Sequence, residues 1–207
     1  FQYSVEHVAL AKQADVVLVA PASANVIGKI ASGIADDMLT TTVMACPCKK
    51  IISPAMNTNM FLNSIVQENI EKLKRHGYEI IEPAVGMLAN RDIGTGRMPD
   101  EDVLFDYVIR EAAYPKDMEG LNVLVTAGPT VEAIDPVRFI SNHSTGKMGY
   151  ALAKAASLRG AQVTLVSGPT SLEKPRFAAC VDVVSAEDMF REVTGRAPAQ
   201  DVVLNAA

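Results

Sequence analysis

The stretch SNHSTGKMG, residues 141–149, gathers Ser, Asn, His, Thr and Lys just ahead of a helical pattern. A glycine before a lysine suggests a phosphate loop, but that signature needs glycine where Ser141 stands and Ser or Thr where Met148 stands. What remains is a cluster of donors at a helix start. With Ser144 or Thr145 as cap, the first-turn N–H groups face an anion, and Lys147 adds charge. A second set, Ser23, Asn25, Asn57 and Asn59, follows the apolar runs of the first half. An amide such as Asn57 can donate to a carboxylate and accept from an amine, and it is also an ordinary turn former or helix cap. His7 falls near a helix start, where a single histidine reads as structural unless other groups join it. Asp36 and Asp37 carry oxygens that suit a hard cation, and equally make a solvated corner or a cap. Cys46 and Cys48 lack CxxC spacing and have no histidine cluster nearby, so they read as packing, and no metal-ligating set is predicted. The loop GMLANRDIGTGRM, residues 86–98, holds Arg91, Asp92, Arg97 and three glycines whose positions do not fit G-x-G-x-x-G. It reads as a flap over a site or as a plain surface loop.

These residues need elements to position them, and the pattern supplies an alternation. VEHVALAKQA (5–14) has helical spacing, DVVLVA (15–20) is an apolar run of strand length, and SANVIGKIASGIA reads as a helix that DMLTTTVMA continues. KIIS (50–53) is the next strand. Met60, Phe61, Leu62, Ile65, Val66, Ile70 and Leu73 mark one face of a single long helix that Gly77 stops. YEIIE is a third strand, and DVLFDYVIREAA a helix. YPKDMEG (114–120) interrupts the rhythm and predicts a boundary, with a first domain over 1–114, a linker over 115–120 and a second domain over 121–207. There LNVLVT, AQVTLVS, VDVV and DVVLNA read as strands, with helices over 146–159 and over SAEDMFREVT, where Ser185 and Asp188 have capping-box spacing. Such alternation predicts an α/β protein with parallel sheets in both halves. Four strand ends (APASAN, SPAMNTN, TAGPT, SGPT) exchange apolar bulk for small residues. In open parallel sheets ligands bind at that edge.

The bulk numbers set limits. The chain has 207 residues, 49% hydrophobic and 21% charged, with a net charge of -5, which argues against nucleic acid or an anionic membrane as general partners. No apolar run approaches the roughly 18 residues of a membrane span. Three cysteines make no disulfide framework, and a reduced, cytoplasmic location is expected. A start at Phe1 and an end in DVVLNAA read as a fragment cut at both ends.

PASANVIGKIASGIADDML, PAMNTNMF, GTGRM, VLVTAGPTVEAIDPVRFISNHSTGKMG and VTLVSGP together resemble a family of bacterial bifunctional coenzyme A biosynthesis proteins. That family joins phosphopantothenoylcysteine decarboxylase to phosphopantothenate–cysteine ligase, and the resemblance runs over essentially the whole chain. It implies a flavodoxin-like flavoprotein domain followed by a truncated Rossmann-like ligase domain. In the first, FMN would oxidise the cysteinyl thiol of phosphopantothenoylcysteine to a thioaldehyde, carbon dioxide would leave, and hydride would return to the enethiol. His7 matches the family's active-site histidine, and Asn57 the asparagine that grips the substrate carboxylate. Pro21, Ser23 and Asn25 match the flavin contacts of PASAN, and Met60 belongs to the same motif as Asn57, PAMNTNM. The family flap carries a proton-delivering cysteine where this chain has Asn90, and an amide is no useful acid near neutral pH. In the second domain, CTP with Mg²⁺ would activate phosphopantothenate, and cysteine would displace CMP. Asn142 matches the asparagine tied to turnover of the acyl intermediate, while Gly128, Ser144, Gly146, Lys147 and Met148 would surround the phosphates. The family also assembles as homo-oligomers. Rival readings are a decarboxylase of peptidyl cysteine, a non-catalytic flavin-binding regulatory scaffold that Asn90 would suit, and a generic dinucleotide oxidoreductase, which the missing G-x-G-x-x-G opposes.

Overall fold

The computed structural model describes residues 5–87 and 92–207, so Asn90 and Arg91 lie outside the described residues. The chain forms two units that divide between Ala113 and Tyr114. The first contains α1 (Glu6–Gln13), β1 (Val16–Ala22), α2 (Ala24–Ser32), α3 (Met38–Ala45), β2 (Lys49–Pro54), α4 (Thr58–Phe61), α5 (Ser64–Arg75), β3 (Glu79–Ile80), β4 (Ala84–Met87), β5 (Ile93–Arg97) and α6 (Glu101–Ala113). β1, β2 and β3 form a parallel sheet in that order, with Leu18 opposite Ile51 and Ile52 opposite Ile80. Side chains alternate across a strand, and β2 shows the result. Ile52 joins Val19, Ile27, Val43, Ile70 and Leu73 beneath α2, α3 and α5, whereas Ile51 turns to Ile81 and Leu104 beneath α6. Burial on both faces is why these strands read as continuous apolar runs. This is a flavodoxin-like α/β arrangement.

Three expectations change here. The helix over 24–45 is two helices. Gly33 ends α2 in the left-handed conformation (φ 69°), and Asp37 opens α3 with a capping box, its Oδ1 accepting from the Thr40 N–H at 2.7 Å. The helix over 60–73 also divides, because Asn63 caps α5 by accepting from the Ile65 N–H at 3.0 Å. An Asx cap inside an apolar period breaks the helix without disturbing the period. The loop over 86–98 includes most of an antiparallel ribbon, β4 with β5, in which Gly86 lies opposite Gly94.

The second unit contains β6 (Asn122–Ala127), β7 (Val131–Ala133), β8 (Phe139–Ser141), α7 (Lys147–Leu158), β9 (Gln162–Ser167), β10 (Ala178–Asp182), α8 (Ala186–Arg196) and β11 (Val202–Leu204). Its parallel sheet runs β10-β9-β6-β11. Of the sheet's four strands in chain order, the first, β6, is therefore flanked on one side by the second, β9, and on the other by the fourth, β11. In such doubly wound sheets the point where the winding reverses opens a crevice at the carboxyl ends. Val123, Val125, Val163 and Leu165 face Ala153 and Ala156 of α7, and Leu124, Val166 and Val183 face Met189 and Val193 of α8. The Ser185–Asp188 capping box is present.

The strand expected over 181–184 lies earlier, at Ala178–Asp182. The β7–β8 hairpin is hidden in sequence because its strands have three residues each, with a turn organised by Asp135 Oδ1, which accepts from the N–H groups of Val137 and Arg138. Residues 116–118 are folded against α7. Lys116 Nζ donates to Leu158 O at 3.0 Å, the Met118 N–H donates to Arg159 O at 3.1 Å, and Asp117 pairs with Arg159. The carbonyls that end a helix need partners, and this segment supplies them. Among the described residues no helix is long and apolar enough to cross a membrane.

Candidate functional site

In the first unit the candidates gather at the carboxyl edge of the sheet. β1 and β2 end side by side, Ala22 opposite Pro54, and the Ala55 N–H donates to Ala22 O at 2.9 Å. Pro21, Ser23 and Asn25 are exposed there, and Ser23 caps α2 by accepting from the Val26 N–H at 3.4 Å. Past β2, Asn57 caps α4. Its Oδ1 accepts from the Asn59 N–H at 2.9 Å, while its Nδ2 makes no hydrogen bond among the described residues. The cap thus fixes the amide and leaves its donor end available. Met60 on α4 is 48% exposed.

The β4–β5 ribbon packs onto this loop at backbone distance. The Met56 N–H donates to Gly96 O at 2.9 Å. A Cβ on Gly96 would stand 2.1 Å from Met56 O, and one on Gly94 would stand 2.3 Å from Thr58 Oγ1. Gly96 also holds φ 138°, a conformation that side chains resist. The GTG triplet is therefore a contact surface, and Arg97 beside it pairs with Asp100 at 2.6 Å. Ser53, which sequence reasoning passed over, is fully buried near the end of β2, and its hydroxyl has no partner among the described residues. A small-residue edge, an available amide donor and an unpaired buried hydroxyl suit a planar, hydrogen-bonding ligand. His7 sits half-buried in the first turn of α1, which packs against α3, and makes no hydrogen bond among the described residues. The structure does not bring it into hydrogen-bond contact with Ser23, Asn25 or Asn57.

Asp36 and Asp37 resolve as structural. Both accept from Lys29 Nζ, at 2.7 and 3.2 Å. The Thr40 backbone N–H and hydroxyl, with help from Lys29, hold the Asp37 carboxyl at about 2. Among the described residues no group of three or more His, Cys, Asp or Glu could hold a metal ion.

In the second unit three loops converge. The ends of β6 and β9 are joined by the Gly168 N–H donating to Ala127 O at 2.9 Å. A Cβ on Gly168 would stand 1.7 Å from Pro129 O, and one on Gly146 would stand 3.3 Å from Gly128 N. The cap of α7 is not Ser144 or Thr145. Gly146 occupies that position at φ 76° with no side-chain cap. The Ser144 N–H is instead taken by Asn142 Oδ1 at 2.8 Å, so the chain turns twice before the helix begins. Asn142 Nδ2 and the exposed Lys147 have no partner among the described residues. Met148 is 71% exposed, and Gly128 is buried beside Gly146. Behind them Tyr150 and Ser167 share a hydrogen bond at 3.2 Å. The result is a glycine-floored edge with uncapped N–H groups and Lys147 exposed beside them, which suits an anion.

Fold and edges together define a flavodoxin-like α/β flavoprotein unit joined to a second doubly wound unit. The family model described as Flavoprotein matches residues 1–113, and the chain belongs to that family. Residues 118–207 match the model described as DNA/pantothenate metabolism flavoprotein C-terminal domain. The chain is 47% identical over 204 residues to the Coenzyme A biosynthesis bifunctional protein CoaBC of Vibrio parahaemolyticus, covering 99% of this chain and 51% of that protein. It is 48% identical over 208 residues to the protein of the same description in Bacillus subtilis, covering 98% and 51%. The chain thus spans about half the length of the curated relatives it matches. Among solved structures, a PPC decarboxylase mutant complexed with pantothenoylaminoethenethiol is 34% identical with a TM-score of 0.51, over 52% of this chain and 60% of that one.

Proposed function

We propose that the first unit is an FMN-dependent decarboxylase of phosphopantothenoylcysteine, acting in coenzyme A biosynthesis in the cytoplasm as a homo-oligomer. The observation that carries this reading is Asn57, held by its own cap with Nδ2 unengaged among the described residues, on a loop against which the glycine ribbon is pressed. Family membership and the relatives' described role support it. A bound flavin supplies hydride acceptance from the carbon bearing the cysteinyl sulfur, and hydride return after carbon dioxide has left. The chain's own residues bind, orient and exclude water. Asn57 Nδ2 donates to the substrate carboxylate and fixes its orientation. Pro21, Ser23, Asn25 and Met60 would hold the flavin, with His7 beside it. The ribbon covers the reacting carbon, which strengthens every polar contact beneath it. Asn90 offers no acidic proton, so protonation on the return step falls to another group or to solvent.

For the second unit the match over 118–207 and the uncapped glycine edge favour part of a Rossmann-like phosphopantothenate–cysteine ligase. Its carboxylate substrate would attack CTP and release diphosphate, and the cysteine amine would then displace CMP. Lys147 and the α7 N–H groups would face the phosphates, with Gly128, Ser144, Gly146 and Met148 around them, and Asn142 Nδ2 would face the acyl group. Mg²⁺ would offset the charge of the nucleotide's own phosphates.

The test incubates the full-length protein with phosphopantothenoylcysteine and FMN, without nucleotide, and reads the product by mass spectrometry. Phosphopantetheine is expected. A decarboxylated product lacking two hydrogens (about 2 Da lighter) would localise a failure to the Asn90 step. Unchanged substrate from a protein that displays a bound-flavin spectrum would overturn the decarboxylase reading in favour of a flavin-binding scaffold.

A further inference from the structure

At the amino end of β2, where Lys49 begins the strand, a cavity of about 330 Å³ is lined by Cys48, Lys49, Lys50, His76 and Tyr78 among others. Lys49, Lys50 and His76 have no ion pair among the described residues, in a chain whose net charge is -5. Lys50 Nζ stands 5.4 Å from the centre of the Tyr78 ring, which holds that charge at the cavity wall. Two thiols adjoin, and they differ. Cys46 is 3% exposed, and burial, then neighbouring Cys48, push its thiol up. Cys48 is half-buried and lines the cavity.

We propose that Cys48 is a modification site that forms mixed disulfides with small anionic disulfides, which Lys49 and Lys50 draw into the cavity. The Cys48 thiolate attacks one sulfur of the incoming disulfide, and the S–S bond of the reagent breaks. A new S–S bond joins Cys48 Sγ to one half of the reagent, and the other half leaves as a thiolate that takes up the proton Cys48 lost. The reagent is the oxidant, and no other reactant is needed. Cys46 stays a thiol because it is buried, so selectivity between the two follows from access. The recognised chemistry is a negative charge attached to a disulfide, and carboxylates and phosphates both supply it.

The full-length protein is treated at low salt with glutathione disulfide, coenzyme A disulfide or neutral 2-hydroxyethyl disulfide, and adducts are mapped by peptide mass spectrometry. At least one anionic reagent is expected to label Cys48 about tenfold faster than the neutral one. That advantage should shrink in high salt and in a Lys49→Ala/Lys50→Ala double variant. Labelling by glutathione disulfide alone would assign the site to carboxylates, and by coenzyme A disulfide alone to phosphates. Equal rates for all three, adducts on Cys46 or Cys180 in place of Cys48, or no adduct at all would overturn the proposal. The salt comparison needs no variant, so a misfolded double mutant leaves the test intact.

Discussion

Both units end their parallel strands in small residues, yet they build on those ends differently. In the first, a ribbon from later in the chain presses Gly94 and Gly96 onto the loop after β2, and a side-chain amide remains to donate. In the second, three loops at the carboxyl edge meet backbone to backbone, and peptide N–H groups are left over beside Asn142 Nδ2 and Lys147. A site made of a loop side chain beneath a separately packed ribbon can lose its chemistry and keep its fold. A site made of the sheet's own backbone has no such separation. Gly168→Ala sets the expectation for the second kind: its Cβ would stand 1.7 Å from the Pro129 carbonyl oxygen, with no flexible group to yield. The loop must open, at a cost of more than about 4 kcal/mol, and thermal unfolding should show the second unit melting far earlier with the first unchanged. Gly96→Ala meets Met56 O at 2.1 Å in the same manner but on the ribbon. It should leave the first unit's melting nearly in place and lower decarboxylase turnover about 100-fold, the scale of a misplaced active-site element. A Gly96→Ala protein that unfolds as readily as Gly168→Ala would erase the contrast.

Asn57 sharpens the same comparison within one residue, because its two amide atoms have separable tasks. Oδ1 caps α4 and Nδ2 is left to the ligand. Asn57→Ala removes both and should cost about 1 kcal/mol of stability as a lost cap, together with about 100-fold in turnover. Asn57→Asp keeps the accepting oxygen and replaces the donor by a negative charge. Stability should return, and turnover should not, because the variant repels the carboxylate it would hold. If Asn57→Asp recovers turnover along with stability, the amide is a cap and nothing more.

How much of this was legible in the sequence follows the same division. The sheet strands were readable because burial on both faces makes them continuous apolar runs, and the Ser185–Asp188 box because its spacing is fixed by one helical turn. Helix breaks at Gly33 and Asn63 were not, since an Asx cap or a left-handed glycine interrupts hydrogen bonding without altering the apolar period. The α7 cap was misassigned for a related reason: Ser144 has the right residue type, but the helix begins two residues later, where Gly146 takes the cap seat in a left-handed conformation that residue type alone does not encode. Ser53 looked like a strand residue, and its hydroxyl, without a partner among the described residues, is sealed off only once both sheet faces are covered. The closeness of Gly96 to Met56 joins residues far apart in the chain, so the loop holding GTG read only as a flap or a surface loop.

The smallest expected effect compares the two capping boxes, which place their carboxylates in opposite seats. Asp37 is itself the cap of α3, whereas Asp188 answers from the third position of α8 to a serine cap. Both carboxyls are held below the usual range. Asp37 is held at about 2 by the Thr40 N–H and hydroxyl and then Lys29, and Asp188 is lowered by the Ser185 N–H and hydroxyl and then Arg191. A carboxyl lowered by folding stabilises fully above its unfolded value, near 3.8, and that contribution is lost as pH falls through the folded one. Between about pH 4 and about pH 2, therefore, the first unit should lose part of its stability through Asp37. Asp37 is exposed and Asp188 partly so, so the effect is a slope in a denaturant midpoint against pH, and salt should weaken only the Lys29 share of the Asp37 effect. Asp37→Asn keeps an accepting oxygen without a titrating proton and should flatten that slope in the first unit while leaving the second unit's unchanged. A variant with the wild-type slope would mean that the Thr40 contacts hold Asp37 equally well in both protonation states, and would assign the first unit's acid sensitivity to its other carboxylates.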